Sequence, residues 1–240
     1  MNRTILRTTT AVAAVSAAAL FFPAVASAAP LSAEDCAQIS TLNQPNGWGN
    51  PFSDEADQAG KHVATQVVDG DGSLELTTVA PRNRAASYHE VSDLKLSEVA
   101  GPLKFQSNGP ANWQVRVTGA NTIGANASAD GFATFVWSGD GTQDASTSDQ
   151  WWATRNLEGY DRGEKGTLDD LAEAAGADTQ VNHYGISVEG PEGTKANIDN
   201  VQFNGCTTNF KAVGAAEDDG GAFGSLGGFG LANLIPGLPS

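Results

Sequence analysis

Asp199 is the residue of this chain whose setting points most directly to chemistry. It lies in Ala196-Asn197-Ile198-Asp199-Asn200-Val201-Gln202-Phe203-Asn204-Gly205. Strict strand alternation there places Asp199 on the same side as Val201 and Phe203, toward the core. A carboxylate that points inward without a partner costs several kcal/mol, so it must accept hydrogen bonds or bind a metal. Ca2+ is one solution, since it takes about six to eight oxygen ligands and favours aspartate with backbone carbonyls. Asp69 and Asp71, in Asp69-Gly70-Asp71-Gly72, are the expected co-ligands. In the other reading Asp199 accepts backbone N–H bonds as a loop cap, or faces solvent at a bulge.

A second constellation follows the polar loop Ser138 to Gln150, which carries Asp140, Asp144 and Asp149 ahead of Trp151-Trp152. Neighbouring strand residues face opposite ways, so one tryptophan enters the core and the other faces out. An exposed indole beside Asp140 and Asp149 suits a sugar ring, with stacking on the face and hydroxyls bound at the carboxylates. The alternative packs both rings, one in the core and one beneath a helix.

Residues for catalysis are sparse. The three histidines, His62, His89 and His183, sit in or beside strand-like segments, and no serine lies in a Gly-x-Ser-x-Gly elbow. Glycoside hydrolysis needs only two opposed carboxylates. The nearest acid run, Glu55-Ala56-Asp57, lacks a third acid and reads as part of a solvated loop from Ser53 to Asp57. No catalytic residue is assigned.

Both ends of the chain differ from a globular core. Arg3 and Arg7, the apolar run Ala11 to Phe22 and the small residues Ala26-Ser27-Ala28 read as a secretory signal over 1–28. The apolar run is shorter than the ~20 residues of a membrane span. After Lys211, glycine pairs and a closing Leu234-Ile235-Pro236-Gly237-Leu238-Pro239 read as a glycine-rich flexible tail over 212–240, able to touch an envelope component. Residues 29–211 remain for one domain.

The formal net charge is −15, and loss of Arg3 and Arg7 with the signal makes it more negative. Such a surface repels phosphate backbones and anionic headgroups, which disfavours nucleic acid and acidic membranes as partners. Neutral ligands and cations remain. Cys36 and Cys206 are the only two cysteines, and in an exported chain they are expected to pair. A bridge closing a loop of roughly 170 residues stabilises by about 5 kcal/mol in the chain-entropy picture.

Strands must position these residues. Val63 to Val68, Leu74 to Val79, Leu103 to Gln106, Trp113 to Thr118, Phe132 to Trp137 and Val181 to Val188 are short apolar or alternating runs separated by glycine, asparagine and proline. Phe132 to Trp137 is apolar on both faces and reads as covered. Asp69 to Gly72 suits a hairpin. One helix interrupts the pattern, capped by Thr167, with Leu168, Leu171, Ala172 and Ala175 on one face and Gly176 at its end.

The closing segments Gly185-Ile186-Ser187-Val188 and Ile198 to Gly205 resemble the last strands of secreted bacterial jelly-roll domains of the concanavalin-like and carbohydrate-binding kind. Trp151-Trp152-Ala153-Thr154-Arg155 and Gly166-Thr167-Leu168-Asp169-Asp170-Leu171 are similar to exported actinobacterial proteins of this architecture. The resemblance spans roughly Asn46 to Phe210. It implies an all-β, jelly-roll/concanavalin-like β-sandwich with one short helix, and for Asp199 a part in holding a structural calcium. The expectation is an exported, non-enzymatic module for neutral carbohydrate, at the cell envelope or outside it. A sandwich glycosidase or polysaccharide lyase, and a structural or adhesion component of the envelope, are the alternatives.

Overall fold

Runs of β-branched and aromatic residues broken every few residues by glycine or asparagine form short strands, and these strands stack as two sheets. The computed structural model describes residues 39–52, 59–79, 84–139, 142 and 144–212. Its strands in chain order are β1 (Ile39–Thr41), β2 (Trp48–Gly49), β3 (Lys61–Val63), β4 (Ser73–Thr77), β5 (Arg84–Lys95) and β6 (Lys104–Asn108). They continue as β7 (Asn112–Thr118), β8 (Ala133–Ser138), β9 (Trp151–Ala153), β10 (Gln180–Glu189), β11 (Lys195–Phe203) and β12 (Cys206–Lys211). One six-stranded sheet runs β1-β12-β11-β4-β3 with β6 also paired to β11, and the other runs β2-β5-β10-β7-β8-β9. Among the described residues β1 with β12 is the one parallel strand pair. Among the described residues the architecture is an all-β sandwich with one α-helix.

The core lies between the sheets. Leu74, Leu76, Phe105, Ile198, Val201, Phe203 and Phe210 of the first meet Trp113, Val115, Phe135, Trp137, Tyr184 and Ile186 of the second. Tyr184 and Phe203 stack across the interface, ring centroids 4.1 Å apart and nearly parallel. Burying a side chain of this size contributes about 1.5–3 kcal/mol. Trp48 reaches from β2 to donate its indole N–H to Thr208 Oγ1 of β12 at 3.2 Å, which ties the two sheets near their edge.

The helix α1 (Leu168–Ala175) forms as its caps require. Thr167 accepts from the Asp170 N–H, Gly176 ends the helix with a positive φ, and Leu168, Leu171, Ala172 and Ala175 are the buried face. It lies against β9 and the short turn Leu96–Glu98.

Two features depart from the sequence pattern. The strand expected over Val63 to Val68 ends at Val63, and Val68 is 47% exposed. Residues 64–72 are instead the loop of the β3–β4 hairpin, which must be long enough to carry both aspartates. The longest strand, Arg84–Lys95, has little β propensity in its arginine, alanines, aspartate and lysine. Its pairing along β10 decides its conformation.

A third departure lies in β11. Ile198 and Val201 both join the core although they are three residues apart, which strict alternation forbids. The ladder with β6 slips between Asp199 and Gln202, and Asn200 adopts a φ of 47°. This is a β-bulge, and it turns Asp199 away from the core face that alternation assigns to it. Downstream, Asn204 and Gly205 both have positive φ between the paired residues Phe203 and Cys206. That is the two-residue hairpin turn an Asn-Gly pair favours.

Cys206, at the start of β12, is buried and is not a free thiol. Its expected partner Cys36 lies outside the described residues, as do the signal over 1–28 and all of the tail beyond residue 212.

The bulge makes a prediction about stability. Asparagine tolerates the left-handed region, whereas a β-branched residue there costs roughly 1–2 kcal/mol. Asn200→Val therefore lowers the unfolding free energy by about that amount and Asn200→Gly leaves it nearly unchanged. Urea denaturation compares them, and equal losses in both would remove the conformational explanation.

Candidate metal centre

Three elements bring the aspartates together. Asp69 Oδ1 accepts the Asp71 N–H at 3.1 Å, which curls the β3–β4 loop. Gly72, at a φ of 130°, has no room for a side chain: a Cβ there would lie 2.5 Å from the Ala212 nitrogen and 2.7 Å from the Val63 carbonyl oxygen. That close approach lets the Ala212 N–H donate to the Asp71 carbonyl at 2.9 Å, holding the loop against the end of β12. Asp199 enters from the β11 bulge. Asn209 and Lys211 stand two apart on the same face of β12.

The carboxylates of Asp69, Asp71 and Asp199 offer oxygens that all lie within 4.8 Å of one another. Asp71 and Asp199 are each held by one oxygen, and Asp69 by both, its Oδ2 receiving Asn209 Nδ2 at 3.4 Å. Asp199 Oδ1 accepts the N–H of Asn200 at 2.8 Å and of Phe210 at 3.0 Å. The Phe210 donor would otherwise continue the β11–β12 ladder, so the side chain stands in for a backbone carbonyl lost at the bulge. Asp69 Oδ1 is committed to the loop, and Asp71 Oδ2 receives Asn209 Nδ2 at 3.2 Å and Lys211 Nζ at 3.2 Å. Asp71 Oδ1, Asp199 Oδ2 and Asn209 Oδ1 are buried with no hydrogen-bond partner. Asp199 as a whole is 0% exposed.

Such a cluster is electrostatically unfavourable by itself. Burial, and then the charges of Asp69 and Asp71, push the Asp199 carboxyl up to about 6, against the pull of its two N–H donors. Burial and the neighbouring Asp69 also raise Asp71, while Asp69 is lowered, chiefly by the hydrogen bond from the Asp71 carboxyl. The donor set consists of hard oxygens with no thiol or imidazole, which suits Ca2+ and not a soft transition metal. Buried acceptors that lack donors supply what a cation would satisfy. The residues present therefore fit a calcium ion.

Other expected site residues are placed differently. Trp151, one of the two proposed sugar platforms, is 0% exposed, and its indole N–H donates to the Ala145 carbonyl at 2.6 Å. It has no face for a ligand. Parity fixes that the pair splits between faces, but the inner face of β9 falls to Trp151, leaving Trp152 half-buried on the outer one. Asp149 is exposed and accepts Gln150 Nε2 at 2.6 Å. Asp140 lies outside the described residues, as does the Ser53 to Asp57 cluster. Asp144 is structural: its Oδ1 accepts the Leu103 and Ser146 N–H groups at 3.0 and 3.1 Å.

Alternation did not mark Asn209 and Lys211. The available signal is Asn204-Gly205, because a two-residue turn sets the β12 register and so places Asn209 and Phe210 across from Asn200 and Asp199.

No family model, curated protein or solved structure matches this chain. The centre is therefore read from its geometry.

Asp199 imposes a pH dependence on the metal-free protein. Its folded-state pKa lies above the ordinary 3.8, so its contribution is fully present below that value and is lost as pH rises through about 6. At about 1.4 kcal/mol per pKa unit the loss is roughly 3 kcal/mol at most. In chelator, the wild-type melting temperature should fall relative to Asp199→Asn across this interval, and parallel curves would show that the carboxyl is not strained.

Proposed function

We propose that the protein is an exported, non-enzymatic β-sandwich module that binds neutral glycan outside the cell or at its envelope, with a structural calcium at Asp69, Asp71 and Asp199. The observation that carries the glycan reading is Trp152, a half-buried indole on the edge strand of the second sheet. The strand registers set the buried Tyr88, Gly185, Gln114 and Val136 in one row that ends at the half-buried Trp152. At about 4.8 Å per strand, Trp152 stands at the rim of that row. The exposed Asp149–Gln150 pair precedes it, and a carboxylate with an amide is suited to sugar hydroxyls. The strong negative charge favours an uncharged glycan over a polyanion. The order β5-β10-β7-β8 facing β4-β11-β6 supports a jelly-roll wrap for the sandwich.

Among the described residues, no helix is long and apolar enough to cross a membrane. Export is supported by the leader-like start of the chain. A Cys36–Cys206 bridge is part of the same reading.

One observation favours a second reading. A cleft of about 350 Å3 beside α1 is lined by Asn121, Glu158, Tyr160, Asp170, Glu173 and Ala174. Several carboxylates around a tyrosine are the material of a glycosidase, and release of reducing sugar from a polysaccharide panel would establish it.

Titration with neutral envelope polysaccharides should shift tryptophan fluorescence for at least one glycan. Trp152→Ala should abolish the shift and weaken binding at least tenfold, while Trp152→Phe retains part of it. A panel with no shift, or an unchanged Trp152→Ala protein, sinks the glycan reading. Millimolar Ca2+ should raise the melting temperature at pH 7, and identical curves in chelator would sink the metal.

A further inference from the structure

The metal centre holds a fourth oxygen that is turned the wrong way. Asn209 directs its Nδ2 at the carboxylates, 3.2 Å from Asp71 Oδ2 and 3.4 Å from Asp69 Oδ2. Its Oδ1 is buried and accepts nothing. An amide donor is the favourable neighbour for carboxylates with no cation among them. Once a cation sits there the preference reverses, because a coordinating group must present oxygen. The amide oxygen and nitrogen are nearly the same size, so a half-turn of the amide exchanges them within one volume.

Lys211 completes the balance. Its ammonium lies 3.2 Å from Asp71 Oδ2 with its side chain 37% exposed, so it can leave toward solvent. It supplies a single positive charge at the rim of three carboxylates. A divalent ion replaces it with two charges placed among the unpartnered oxygens.

We propose that Asn209 is the fourth side-chain ligand of the calcium site, joining by rotation of its amide, and that Lys211 is the site's own counter-cation, displaced when calcium binds. This inference rests on the calcium reading above. Asp199 is already oriented for it, anchored through Oδ1 by two backbone N–H groups with Oδ2 unpartnered. Asp69 is anchored through Oδ1, and its Oδ2 is released when Asn209 turns. Asp71 already has Oδ1 unpartnered, and its Oδ2 is freed by the same two movements. Three monodentate carboxylates and one amide oxygen leave two to four positions of a six-to-eight-coordinate ion for backbone carbonyls or water. The hairpin loop, β11 and β12 would then share one ligand shell, and the ion would fasten β12 to the β3–β4 hairpin.

Lys211 also sets the affinity. A unit charge a few ångström from a divalent ion, acting through a water-like dielectric, changes binding by about tenfold. A site that carries its own lysine binds calcium more weakly than the same carboxylates alone, and it retains a partner when calcium is absent.

The test is calorimetric titration of the full chain with CaCl2, alongside 15N-resolved NMR of the Asn209 side-chain NH2. Wild type should bind one Ca2+ with a large shift of that NH2 pair. Asn209→Leu should weaken binding at least tenfold, Asn209→Asp should preserve or strengthen it, and Lys211→Met should strengthen it about tenfold. Asn209→Asp guards against a folding failure in the leucine variant, because it keeps an oxygen donor in the same volume. If wild type takes up no Ca2+, the underlying calcium reading fails. If wild type binds but Asn209→Leu binds equally well with an unmoved NH2 signal, Asn209 is not a ligand and this inference is overturned. If Lys211→Met gains no affinity, the counter-cation role is wrong.

Discussion

Burying the Asp199 carboxylate is the constraint around which one end of this sandwich is organised. A strand that alternated without interruption would drive that group into the apolar layer beside Val201 and Phe203, at a cost of several kcal/mol. The bulge at Asn200 avoids this by a local left-handed step. It lets Ile198 and Val201 both reach the core and turns Asp199 to meet the Phe210 N–H. The side chain then replaces one rung of the ladder that the bulge breaks, so the irregular backbone and the buried acid satisfy each other.

From that point the arrangement of the first sheet follows. The Asn204-Gly205 turn returns the chain as β12, whose outward residues Asn209 and Lys211 face the acid. The β3–β4 loop is brought to the same place by Gly72, where only a glycine allows the Ala212 backbone so close. Three separate stretches of chain thus deliver oxygen and ammonium groups to one small volume. Among the described residues, the buried side-chain oxygens left without donors, Asp71 Oδ1, Asp199 Oδ2 and Asn209 Oδ1, all belong to this cluster.

The second sheet has another character. Its outer face is not a plain solvated surface: Gln114 bonds Ser187 there at 2.9 Å while nearly buried, and Arg116 lies 3.6 Å over the Phe52 ring. Gly185 has no Cβ, which would meet the Ser87 carbonyl and the Tyr88 ring. The sandwich therefore has a strongly acidic cluster at the end of one sheet and an aromatic, largely covered outer face on the other. Trp48, bonded to Thr208 through the interior, joins the two near β12.

Much of this was legible in local residue order, because the signals involved are local. The period-two runs of β4 and β7, the apolar runs of β8 and β10, and the Thr167 and Gly176 caps of α1 need only neighbouring residues to be recognised. Three things required the folded chain. Arg84–Lys95 is a strand because β10 lies along it, not because its residues favour one. Which of Trp151 and Trp152 is buried depends on which side of β9 the core occupies, and alternation sets the split but not its sense. Whether Asp199 meets apolar side chains or other acids turned on one residue of slip in β11, and that slip is settled by pairing with strands distant in sequence.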